Sequence, residues 1–191
     1  MTARPPGRPR EVDITRVARS AVDLFTERGY ESVSMDDVAS AAGISRRSLF
    51  NHFATKAELL WSGHEFYVDR LRRHLMRPSG QGAALTDVLT SGFVRALDDL
   101  GEDGLALARA RLRVVSAHPD TAAVGQVVVA ACRAVVLDHL RTRVRGELTC
   151  RCIAGGVAAA AYEALMWWAA GDAPDPERDI SSGIAALTLR E

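Results

Sequence analysis

Apolar residues recur at intervals of three and four along almost all of this 191-residue chain, and no run alternates convincingly at period two. That spacing lays hydrophobic stripes along helices and gives no strand a face to bury, so the fold class it dictates is all-α. Ile14, Val17, Ala18, Ala21, Leu24 and Phe25 share one side of a first helix, which Gly29 can end. Ser34 followed by Asp37 has the form of a capping box, with aspartate where glutamate is usual. It opens a second helix that turns Val38 and Ala42 inward and stops at Gly43. Ser45 can cap a short third helix through about Phe53, and Thr55 a fourth running to about Met76. Residues 78–82 and 101–104 read as loops. Further helices are expected near 84–100, 104–117, 120–145, 147–171 and 176–190, about nine in all.

Three arginines, three prolines and a glycine in the first ten residues make a flexible basic arm over residues 1–11. The organisation that follows is a three-helix domain over residues 12–54 and a larger helical domain over residues 55–191. Twenty-four basic residues balance twenty-four acidic ones, so any nucleic-acid partner must be met by a local patch. The N-terminus lacks the apolar core of a signal peptide, and the weakly apolar run 152–162 is too short to span a bilayer. No membrane partner is therefore expected. Three cysteines, two of them one residue apart, do not make a disulfide framework, which suits a reduced, cytoplasmic protein. No Gly-x-Ser-x-Gly, Walker loop or His-Glu-x-x-His occurs, so neither an enzyme nor a cofactor is expected.

The local patch exists. From Val38 to Ala57 the basic residues Arg46, Arg47 and Lys56, with His52, meet no acid. The second and third helices, joined around Gly43, have the size of a helix-turn-helix, whose second helix presents its N-terminal residues to the major groove. The stretch LFTERGYESVSMDDVASAAGISRRSLFNHFATKAELL, within residues 17–60, resembles the DNA-binding domain of the TetR family of bacterial regulators. The match includes the ERGY end of helix one, the S-x-x-D-V-A opening of helix two, the A-G-I-S turn and the L-F-x-H-F-x-x-K-x-x-L passage into helix four. The resemblance places Ser45, Arg46 and Arg47 at the start of the recognition helix, with Ser48, Asn51 and His52 facing DNA and Ser34 and Lys56 on phosphates. Arginine reads guanine bidentately, so Arg46 and Arg47 are the expected base readers. Phe50 and Phe53 are expected to pack. Members of the family often carry a small residue where Arg47 stands and tyrosine where Phe50 stands, so an operator cannot be borrowed from a relative. Gly7-Arg8-Pro9-Arg10 is similar to the core of an AT-hook, with Arg8 and Arg10 as candidates for the minor groove.

The resemblance implies a homodimer that binds a double-stranded operator and a small-molecule effector. For the dimer interface the candidates are Gly155, Gly156, Ala160, Trp167 and Trp168, small residues that allow close helix approach beside large rings. For the effector pocket they are Trp61, Phe66, Tyr67, Phe93, Arg109, Arg111, Leu112, Val129 and Arg133. Apolar walls with an arginine among them suit an amphipathic anion, such as a fatty acid or an acyl thioester. The same arginines could instead pair with Asp98, Asp99, Glu102 or Asp138 at the surface. Ligand release of a repressor is the expected mechanism. Two other readings compete: a metal sensor built from His64, His118, His139 and Cys132, although no metal site is expected, and an interaction adaptor that has lost specific DNA binding.

Overall fold

A computed structural model describes residues 13–78 and 82–187. The described residues contain no strand and form ten α-helices and one 3₁₀ turn. They are α1 (Ile14–Arg28), α2 (Met35–Ala42), α3 (Arg46–Phe50), α4 (Lys56–Trp61), α5 (His64–Leu75), α6 (Leu85–Asp98), α7 (Gly101–Ala117), α8 (Ala122–Leu140), α9 (Glu147–Ala170) and α10 (Glu177–Ala185). Counting α4 and α5 as the single fourth helix of the sequence reading leaves nine.

The caps act where the sequence places them. Ser34 Oγ accepts from the Asp37 amide while the Ser34 amide donates to Asp37 Oδ2 at 2.8 Å, which completes the capping box. Ser45 and Thr55 accept from the Ser48 and Glu58 amides. Gly43 ends α2 in the left-handed region at φ 66°, a conformation that a side chain disfavours.

Three expectations need correction. The fourth helix breaks after Trp61: Ser62 is extended and Gly63 left-handed at φ 81°. Trp61 donates from Nε1 to Thr121 O at 3.1 Å, which fixes the end of α4 against the turn before α8. Residues 101–104 are not a loop but the first turn of α7, entered by a tight turn at Asp99 and Leu100. The helix expected over 120–145 begins with the 3₁₀ turn Pro119–Thr121 and ends at Leu140.

Packing does not follow chain order. One core joins Val17, Phe25, Val38, Leu49 and Leu60 from α1–α4 to Leu112 and Val115 of α7 and to Trp168 near the end of α9. A second core joins Leu71 of α5, Phe93 of α6, Val136 of α8, Ala158 of α9 and Ile180 of α10. Any movement of α7 is therefore felt by α1, against which it packs directly. By length and composition Pro119–Leu140 and Glu147–Ala170 could each cross a membrane, although the run 152–162 reads as too short. In the fold these two helices pack on each other, and on α5, α7 and α10.

Candidate nucleic-acid interface and effector pocket

The recognition helix is held from beneath. Leu49 is fully buried, and five residues of α3 suffice only because this anchor and the Ser45 cap replace the missing turns. Arg16 of α1 adds a brace that the sequence reading missed: its Nη2 donates to Ala42 O at 2.7 Å, closing the end of α2. An arginine one turn into a helix that leads the bundle carries no local signal of that role.

Around this anchor Ser45, Arg46, Arg47, Asn51 and His52 are exposed and Ser48 is half-buried. Arg46 Nη1 pairs with Asp36 Oδ2 at 2.8 Å, and its guanidinium lies 5.4 Å from the Phe50 ring centre. Both partners are exposed, so the pair is weak and a phosphate or a base edge can compete for it. The Arg47 side chain makes no hydrogen bond or ion pair among the described residues. Phe53 is buried, whereas Phe50 is 41% exposed and serves as the platform for Arg46 rather than as core. Lys56 departs from the expectation of a free phosphate contact. Its Nζ donates to Tyr30 O at 2.6 Å and lies 4.3 Å from the Tyr30 ring centre. Tyr30 in turn stacks on His118 at 4.7 Å, which links the entry to helix four with the end of α7. Ser34 is exposed with its hydroxyl in the capping box, and hydrogen bonds from that residue hold the Asp37 carboxyl below its ordinary value. Arg8 and Arg10 lie outside the described residues.

A cavity of about 540 Å³ opens where α1, α5 and α7 meet, within the size range of small-molecule sites. Of the expected lining residues it collects Trp61, Phe66, Tyr67, Arg111 and Leu112, and it adds Ile14 and Ala18 of α1 and the break at Ser62 and Gly63. An occupant would thus touch α1 directly. Gly125 of α8 makes room for one wall, since a Cβ there would come within 2.7 Å of the Trp61 indole.

Four expected lining residues stand elsewhere. Phe93 is buried in the second core, and Val129 packs against it. Arg133 is exposed beside Gly155. Arg109 lies over the Trp168 ring at 4.2 Å and donates to Ala173 O, while Arg113 donates to Ala169 O at 2.7 Å and to Gly171 O at 3.2 Å. Arg113 closes the negative end of α9 and Arg109 holds the segment just after it, and neither pairs with a surface acid.

The Arg111 side chain makes no hydrogen bond or ion pair among the described residues. Its Nε is buried without a partner, as are Arg109 Nε and the Tyr67 hydroxyl. Leaving each so costs about 1–3 kcal/mol. Burial lowers the Arg111 pKa to about 10, against a smaller opposite pull from Glu65, so the side chain is still a cation at neutral pH. Burial also raises the Tyr67 phenol well above 10, with Cys132 adding to it, so Tyr67 keeps its proton.

The candidate dimer residues divide. Trp168 is 1% exposed and donates to Ala173 O within its own chain, so it is core. A Cβ on Gly156 would meet Leu187, and one on Gly183 would meet the Ala160 carbonyl at 3.2 Å, so Gly156 and Ala160 serve the packing of α10 on α9. Gly155 is half-buried beside Arg133, and Trp167 is 75% exposed. The alternative metal ligands are dispersed: among the described residues no three His, Cys, Asp or Glu side chains are grouped to hold an ion.

Residues 18–61 match the model of the bacterial regulatory proteins, tetR family. The transcriptional regulator MftR of Mycobacterium tuberculosis is 30% identical over 143 residues, covering 75% of this chain and 71% of that protein. The HTH-type transcriptional activator FasR of Mycolicibacterium smegmatis is 27% identical over 171 residues, covering 87% and 76%. Among solved structures, Thermus thermophilus FadR, a TetR-family repressor in complex with lauroyl-CoA, superposes with a TM-score of 0.59 at 21% identity, covering 93% of this chain and 96% of that one. The SmeT–triclosan complex does so at 0.62 and 17%, covering 91% and 90%. A buried anchor beneath an exposed basic helix, the helical bundle behind it and the likeness to MftR lead to one conclusion: the chain belongs to the TetR family of transcriptional regulators.

Proposed function

We propose that the protein is a repressor that binds a palindromic operator as a homodimer and is released by a small molecule. Residues 12–54 serve as the DNA-binding unit and residues 55–191 as the unit for ligand and partner. The observation that carries this reading is the cavity that touches α1 and the break at Gly63 at once. A ligand seated there acts on the joint between recognition helix and bundle, and so changes the spacing of the two heads. Half-sites lie about 34–36 Å apart or at multiples of that distance, and an effector coupling of about 1–3 kcal/mol weakens operator binding roughly 5- to 150-fold.

Trp167, left 75% exposed on α9, supports the partner surface, because a ring of that size in water gains most from being covered. The Arg111 cation within apolar walls supports an amphipathic anion as effector, an acyl thioester being one such class. Lauroyl-CoA is the ligand of the FadR structure.

Genomic fragment selection with purified protein tests the reading, followed by affinity on the best fragment across a salt series. An enriched palindrome whose binding falls when Arg46 and Arg47 are both changed to alanine is the expected result. Each lost bidentate base contact costs about 1–3 kcal/mol. Uniform binding that vanishes with salt and ignores both substitutions would leave phosphate attraction alone.

A further inference from the structure

Three arginines lie within five residues of α7, and two of them are committed. Arg109 and Arg113 hold carbonyls at and just after the end of α9. Arg111 projects to the other side, into the cavity between α1, α5 and α7, and makes no ion pair among the described residues. Glu65, the acid that acts on it most, is exposed and stands 3.5 Å from His64 Nδ1. The same wall contains the start of α5 at Gly63, where no side chain caps the helix. A helix N-terminus and an uncommitted guanidinium in one cavity both favour an anion.

We propose that the effector is a free carboxylic acid with an apolar body, bound as its carboxylate by Arg111 beside the start of α5. This rests on the ligand-released reading and narrows it. A coenzyme A thioester carries no charge at its acyl end. Its phosphates lie at the far end of a long polar arm, so presenting them to Arg111 would bring the hydrophilic half of the molecule between Trp61 and Leu165. A carboxylate puts its charge on Arg111 and its hydrocarbon on those walls.

The test is calorimetric titration of the full chain with dodecanoate and 2-naphthoate, each beside its methyl ester, and with lauroyl-CoA. At least one acid binds tenfold or more tightly than its own ester. Arg111→Gln removes that difference while leaving ester binding in place, and Arg111→Lys restores part of it. A thermal melt of Arg111→Gln controls for folding, with a midpoint no lower than that of the parent, because the substitution relieves a buried charge. Equal binding of acid and ester, equal loss of both in Arg111→Gln, or tighter binding of lauroyl-CoA than of either acid overturns the carboxylate and leaves the effector pocket standing. No binding by any of the five probes overturns the carboxylate as well. Operator selection by Arg46 and Arg47 is measured without ligand, so its failure is separately visible.

Discussion

Arg46 and Arg47 of α3 and Arg109 and Arg111 of α7 are two arginine pairs with the same side-chain chemistry and opposite legibility. The first pair stands in the opening turn of a helix whose only buried residue is Leu49, so its neighbours in the chain already say that it faces outward. The second pair is set two residues apart, about 200° around a helix, and is half-buried throughout. One member holds the segment just after α9 and the other enters a cavity, and nothing in the ten residues around them distinguishes the two. An arginine's role is local where the helix has one wet side, and global where it is packed on several.

The sharpest way to break this comparison is to remove the local anchor. Leu49→Ala empties a fully buried site, and substitutions of that kind cost about 2–5 kcal/mol. Denaturant unfolding should show that loss, and operator binding should fall with it. Retained affinity at reduced stability would mean that α3 is organised by the DNA instead.

A smaller effect separates the other region. Gly125→Ala puts a Cβ 2.7 Å from the Trp61 indole and 3.2 Å from the Tyr162 hydroxyl, an overpacking worth about 1–3 kcal/mol. It should weaken effector binding and leave the selected palindrome unchanged. A changed palindrome would show that the wall of the cavity also sets the geometry of the recognition helix.

The smallest effect lies at the surface and is a matter of pH. Glu147 joins Arg141, before the turn into α9, to Arg151 one turn into it, and these two arginines hold its carboxyl at about 2 against an ordinary 4.5. A carboxyl depressed in the folded state contributes stability that is full above 4.5 and is lost as pH falls toward 2. The stability difference between the parent and Glu147→Gln should therefore be constant from pH 7 to about 4.5 and shrink below it, as read by denaturant melts along the series. A difference that does not change with pH would assign the effect to packing.

Much of the molecule is written locally. The caps at Ser34, Ser45 and Thr55 and the stop at Gly43 bind groups three to five residues away, so the bounds of α2 and α3 and the start of α4 follow from the sequence. The break at Ser62 and Gly63 was legible only as one glycine inside a helical stripe, a signal that helices often tolerate. At the break the Trp61 indole donates to the carbonyl of Thr121, sixty residues on. Likewise the small residues of α9 suit a partner chain as well as an internal neighbour. Within this chain Gly183 on α10 packs against Ala160, and Trp168 lies buried under Arg109 while Trp167 is exposed.

The sequence by itself determined the all-helical class and the helix-turn-helix, because hydrophobic period and capping are properties of a few consecutive residues. Only the tertiary structure decided which arginine enters the cavity, which tryptophan is core and where helix four divides. Those outcomes depend on carbonyls, rings and glycines brought together from α1, α5, α7, α8 and α9, and the free energy of a buried charge or indole is set by those neighbours rather than by its own segment of chain.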